Sequence, residues 1–183
     1  MPKIFPARGA LMNDFAFPGE PAPFEIERKY LIEYPDVNLL ASLPDCQSVE
    51  IIQTYLKTED GSEKRVRLRS ADGHRTYYCT IKKAVSDIKR VEIENQISQD
   101  EYLRLLTDAA PDCRPIQKTR YCLTHQGQCF EIDIYPFWND KAIMEIELRD
   151  ENTAIHFPPQ IKVIKEVTAD KQYKNASLAK IKQ

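Results

Sequence analysis

Carboxylates and cations recur at every second position in short runs along the chain, a spacing that aligns them on one face of a β-strand. The acidic runs are Glu25-Ile26-Glu27, which leads to Lys29, then Glu92-Ile93-Glu94, Glu131-Ile132-Asp133 and Glu145-Ile146-Glu147. The basic runs are Arg65-Val66-Arg67-Leu68-Arg69, Thr80-Ile81-Lys82 and Lys118-Thr119-Arg120. Paired carboxylates are hard oxygen donors suited to Mg²⁺ or Mn²⁺, and rows of arginine and lysine suit a polyanion such as a chain of phosphates. Both halves together have the chemistry of a metal–polyphosphate complex. The five glycines form neither a GxxxxGK[ST] loop nor a GxGxxG turn, so phosphate must be held by side chains rather than backbone amides.

The elements that position these residues follow from the same period. Alternation predicts strands at 24–33, 50–58, 63–70, 75–83, 89–97, 116–124, 128–135 and 142–149. Asp60-Gly61, Asp72-Gly73 and Gln126-Gly127 each fall between two such runs and carry hairpin turn chemistry. Ser98-Gln99-Asp100-Glu101 is a capping box ahead of Tyr102, Leu103, Leu105 and Leu106, which predicts a helix over 98–109. Weaker helical signals lie at 36–42, 150–156 and 174–181. Residues 1–23 hold Pro2, Pro6, Pro18, Pro21 and Pro23, and read as a proline-rich arm or linker ahead of a domain over 24–183. Trp138, in the connection Tyr135-Pro136-Phe137-Trp138, reads as a packing anchor.

Any half-buried sheet alternates in this way, with one dry face and one wet face. What sets this chain apart is that acidic strands alternate with basic ones and that the polar positions are nearly all Glu, Arg or Lys. The fold class is therefore mainly β (α+β), with eight antiparallel strands expected to close into a barrel flanked by a few helices. With the charged face inside, the lumen gathers Glu25, Glu27, Lys29, Arg67, Arg69, Lys82, Glu92, Glu94, Lys118, Arg120, Glu131, Asp133, Glu145 and Glu147. Charges so confined must stay wet, pair with one another, or be completed by a charged ligand.

Composition bounds the rest. The chain has 183 residues, with 26 basic and 28 acidic side chains and a net charge of −2, which argues against a duplex nucleic-acid partner. Five cysteines, odd in number and without a CxxC pair, point to reduced thiols. No apolar run reaches the roughly 18 residues of a membrane span, and the N-terminus lacks the order of a secretory signal. The expectation is a cytoplasmic protein with no membrane partner, a monomer or homodimer.

The motifs in their order resemble the CYTH superfamily, the triphosphate tunnel metalloenzymes. Glu25-Ile26-Glu27-Arg28-Lys29 resembles the ExExK signature, Arg67-Leu68-Arg69 the RxR strand, and Lys82 the isolated lysine. Glu92-Ile93-Glu94, Lys118-Thr119-Arg120-Tyr121, Glu131-Ile132-Asp133 and Glu145-Ile146-Glu147 resemble the central ExE, KTRY, ExD and final ExE strands. Glu166-Val167-Thr168, Tyr173, Asn175 and Leu178-Ala179 resemble the C-terminal segment. The resemblance implies an eight-stranded triphosphate tunnel that binds a triphosphate-bearing small molecule with Mg²⁺ or Mn²⁺. Tyr55 and Lys118 favour the small bacterial tripolyphosphatase branch. The resemblance also implies Glu25, Glu27, Glu131, Asp133, Glu145 and Glu147 as metal ligands, and Lys29, Arg67, Arg69, Lys82, Lys118 and Arg120 as the phosphate cradle. Lys118 or Tyr55 would position the attacking water, with Lys29 beside them, and Glu92 and Glu94 would either support the basic side chains or touch metal. Alternatives within the superfamily are an adenylate cyclase, a thiamine triphosphatase or another organic triphosphatase. A non-catalytic polyphosphate- or nucleotide-binding module is a further one.

Overall fold

The computed structural model describes residues 26–59, 61–84, 90–148 and 150–180. Glu25 and the N-terminal arm lie outside the described residues. The strands are β1 (Ile26–Glu33), β2 (Cys46–Tyr55), β3 (Glu63–Ala71), β4 (His74–Ala84), β5 (Arg90–Ile97), β6 (Ile116–His125), β7 (Gln128–Ile134), β8 (Lys141–Leu148) and β9 (Val163–Glu166). They form one antiparallel sheet in the order β5-β4-β3-β2-β6-β7-β8-β1-β9. All eight expected strands are present, with a ninth that alternation did not reveal. The edge strands β5 and β9 are not paired with each other among the described residues, so hydrogen bonding does not close the sheet into a ring.

Turn chemistry explains the tight hairpins. Asp72-Gly73 (φ 49° and 76°) joins β3 to β4, and Gln126-Gly127 (φ 49° and 75°) joins β6 to β7. Two successive positive φ values match the right-handed twist of the flanking strands. A Cβ added at Gly127 would meet nothing within 4 Å, so only its backbone conformation resists substitution. Gly127→Ala is expected to cost about 1–2 kcal/mol through the left-handed conformation alone, or about 2–8 °C in Tm for a chain of this size. An unchanged melting curve would show that the turn relaxes without strain.

Two helices among the described residues cover the outer face. In α1 (Val37–Ser42) the Asp36 carboxylate accepts from the Asn38 and Leu39 amides at 3.0 Å. Its Leu40 packs with Tyr30, Ile32, Leu123, Phe130, Ile132, Met144 and Ile146 from β1 and β6–β8. In α2 (Gln99–Leu105), capped by Ser98 and continued by a 3₁₀ turn over Leu106–Asp108, Tyr102 and Leu105 pack on Val66, Leu68, Tyr77 and Cys79 of β3 and β4. The expected helices over 98–109 and 36–42 are thus present, and α3 (Asn175–Ala179) answers the signal at 174–181. No helix forms at 150–156. There the Asp150 carboxylate accepts from the Asn152 amide at 2.7 Å and its carbonyl from the Thr153 amide, an Asx-type turn that competes with helix formation.

One end of the inner face is filled. Leu31, Tyr55, Ile116, Tyr135 and Ile143 continue the charged rows of their strands and pack with Val167 and Ala179 from the C-terminal segment. The Tyr135 hydroxyl donates to Asn175 Oδ1 at 2.7 Å, and Trp138 packs edge-on against Tyr135 and Tyr173 as an anchor.

Candidate active site

Register decides which charges meet. Because the strands alternate, β1 presents Glu27 and Lys29 inward, β8 Glu145 and Glu147, β7 Glu131 and Asp133, and β6 Lys118 and Arg120. On the other side β2 presents Gln53 and Tyr55, β3 Arg65, Arg67 and Arg69, β4 Tyr78, Thr80 and Lys82, and β5 Glu92 and Glu94. The pairing of β2 with β6 joins the two halves, with Ile51 opposite both Lys118 and Arg69.

Arg120 is the hub of the acidic half. Its Nε and Nη2 donate to the two oxygens of Asp133 at 2.6 Å each, a bidentate fork. Nη2 also reaches Glu145 Oε2 at 3.0 Å across the intervening strand, and Nη1 bonds Glu131. The sheet must curl about this face for β6 to touch β8 over β7. Burial works against the guanidinium charge, but Asp133 and Glu131 outweigh it and hold the pKa well above the usual arginine value.

Two lysines flank the hub. Lys29 Nζ bonds Glu145 at 2.8 Å and lies 3.6 Å from Glu27. Its burial is overruled by Glu145 and then Glu27, and its pKa is raised. Lys118, about 1% exposed, bonds Asp133. Here burial wins, with help from the neighbouring Arg120, and the amine is pushed down to about 8. The same residue type thus carries opposite shifts: Lys29 pairs with two carboxylates, whereas Lys118 shares Asp133 with Arg120.

In the basic half, Arg67 bonds Glu94, which also accepts from Thr80 Oγ1 at 2.7 Å. Arg65 Nη2 lies 3.3 Å from Glu92 Oε1, and Lys82 bonds the other oxygen of that carboxylate. Burial would raise the Glu92 pKa, but Lys82 and then Arg65 overrule it and the pKa is lowered. Arg69 lies over the Tyr78 ring at 5.7 Å. Gln53 Nε2 donates to the Tyr55 hydroxyl at 2.7 Å, and burial, then Glu63, pushes the Tyr55 phenol up.

The CYTH domain family model matches residues 23–179. The chain belongs to the CYTH family. This CYTH chain is 35% identical over 159 residues to a curated inorganic triphosphatase of Nitrosomonas europaea, covering 85% of the chain and 96% of that protein. A crystal structure described as hypothetical protein NE1496 aligns with a TM-score of 0.52 and 31% identity, over 87% of this chain and 99% of that one. The structure of PH1819 from Pyrococcus horikoshii OT3 shares the fold, with a TM-score of 0.50 and 17% identity over 69% of this chain and 80% of that one.

Among the described residues, no group of three or more His, Cys, Asp or Glu side chains of this CYTH chain converges into a ready-made metal cage. The donor set still fits a hard cation. Glu27 stands directly opposite Glu147, and Glu131 opposite Glu145, and like charges so placed repel unless a cation lies between them. Mg²⁺ is commonly held by one or two carboxylates together with substrate phosphates, an arrangement that needs no cage. Glu147 is exposed and Glu27 partly exposed, whereas Asp133 is fully buried against Lys118 and Arg120.

The structure brings every described candidate onto one face and adds three residues that the motifs passed over. Arg65 was signalled by its i, i+2, i+4 spacing with Arg67 and Arg69, and Tyr135 by its place two residues after Asp133. Gln53 carried only the signal of sharing a strand face with Tyr55. No helix among the described residues is long and apolar enough to cross a membrane.

Proposed function

We propose that this CYTH domain hydrolyses inorganic tripolyphosphate with Mg²⁺ or Mn²⁺. The observation that carries the reading is the division of one buried face into a carboxylate-rich half on β1 and β6–β8 and a cation-rich half on β2–β5. The curated relative named inorganic triphosphatase supports it. In the reaction, water oxygen bonds to a terminal phosphorus, the bridging P–O bond breaks, and phosphate and pyrophosphate leave.

Phosphoryl transfer depends mainly on positioning and charge stabilisation. Lys29, Arg67, Arg69, Lys82 and Arg120 bind the phosphate oxygens. Glu27, Glu147, Glu131 and Glu145 would hold the divalent cation, which supplies charge neutralisation and an activated water when bound. Asp133 anchors Lys118 and Arg120. Lys118 Nζ and the Tyr55 hydroxyl orient the attacking water, and the apolar cluster beneath them excludes other water. Glu92 and Glu94 hold Arg65, Arg67 and Lys82 in place.

Parallel assays with tripolyphosphate, ATP and thiamine triphosphate, each with Mg²⁺ and Mn²⁺, test the reading. Metal-dependent release of phosphate, fastest from tripolyphosphate, is expected. Cyclic AMP with pyrophosphate as main products, or tight tripolyphosphate binding without turnover, would overturn it.

A further inference from the structure

We propose that Arg65 is a further substrate-contacting residue that grips the innermost phosphoryl group and favours triphosphate over diphosphate. This rests on the hydrolase reading above. Arg65, Arg67 and Arg69 project from one face of β3, with successive steps of about 7 Å toward the apolar end. Arg65 is the innermost, directly opposite Tyr55. It is 6% exposed, and among the described residues its Nε has no hydrogen-bond partner. Its contact with Glu92 is long at 3.3 Å, and Lys82 engages the same carboxylate.

A buried guanidinium N–H without an acceptor is unfavourable, and a phosphoryl oxygen would supply that acceptor with charge assistance. Neighbouring groups point to the same place. Gln53 is 1% exposed, and its Oε1 also has no partner among the described residues. Its amide donates to the Tyr55 oxygen, which leaves the phenolic hydrogen to donate elsewhere. Gln53 Oε1 would accept from water or a protonated phosphoryl oxygen, while Arg65 and Tyr55 donate. A diphosphate held by Arg67 and Arg69 would not extend to this inner step.

The test compares wild type, Arg65→Gln and Arg65→Lys in tripolyphosphate hydrolysis, with pyrophosphate as competitive inhibitor and melting curves as a folding control. For Arg65→Gln, kcat/KM for tripolyphosphate is expected to fall by about 10²-fold, the usual scale for removing one charge-stabilising donor. The pyrophosphate inhibition constant is expected to change little, and Arg65→Lys to recover part of the loss. Equal weakening of pyrophosphate and tripolyphosphate, or unchanged kinetics in a folded variant, would overturn the assignment. If Arg65→Gln does not fold, Arg65→Lys is judged by the same ratio of tripolyphosphate to pyrophosphate. Absence of turnover in wild type would defeat the hydrolase reading instead, and calorimetric binding of tripolyphosphate against pyrophosphate would then judge Arg65 alone.

Discussion

The double variant Glu27→Gln, Glu147→Gln is expected to lose metal-dependent tripolyphosphate hydrolysis by about 10³-fold or more while keeping the native fold. The two residues face each other across β1 and β8 and are the more exposed carboxylates of the acidic half. Replacing both with amides removes two negative charges but little volume. It relieves cross-strand repulsion but also removes the Glu27–Lys29 ion pair, so stability should change little. Catalysis should respond strongly, because cation-derived stabilisation of the transition state is worth several kcal/mol. Titrating Mg²⁺ and Mn²⁺ at saturating tripolyphosphate separates weaker metal binding, seen as a shifted midpoint, from a lower plateau. A variant with wild-type metal dependence would remove Glu27 and Glu147 from the metal site.

Arg120→Met should have the largest effect on stability. Its guanidinium is shared by Asp133, Glu131 and Glu145, and removing it leaves three carboxylates, one fully buried, with less compensation. Breaking a buried ion pair by deleting one partner costs about 3–5 kcal/mol, a large share of the about 5–15 kcal/mol that holds a domain together. At about 2–4 °C per kcal/mol for a chain of this size, Tm should drop by about 6–20 °C. Urea unfolding should show a lower midpoint with an unchanged slope. A shift of only a degree or two would mean that Lys118 and Lys29 already balance the carboxylates without Arg120.

Which face each charged residue occupies was legible because a period of two assigns faces without any knowledge of strand order. Glu131 and Asp133, or Arg67 and Arg69, could be placed on one side of a strand from spacing alone. Which cation each carboxylate holds was not legible. Arg120 meets Glu145 across β7 and Arg65 meets Glu92 across β4, contacts that depend on how far the sheet curls, and Lys29 meets Glu145 through the long-range pairing of β1 with β8. Asp133 therefore read as a metal ligand by its motif, while the structure buries it between Lys118 and Arg120. The strand β9 was missed because Val163-Ile164-Lys165-Glu166 is short, exposed at every position and without alternation. Its pairing with β1 supplies the order that its own sequence lacks. At 150–156 the side chain of Asp150 decided for a turn where average propensity suggested a helix.

The apolar packing of Leu31, Tyr55, Ile116, Tyr135 and Ile143 against Val167 and Ala179 has a consequence for traffic. With that end filled among the described residues, the opposite, charged end is the doorway that substrate and both products are expected to share under the proposed reaction. The fragment nearer the doorway must depart before the deeper one, so turnover acquires an obligatory order, and accumulated outer product would stall the next cycle by blocking the way in.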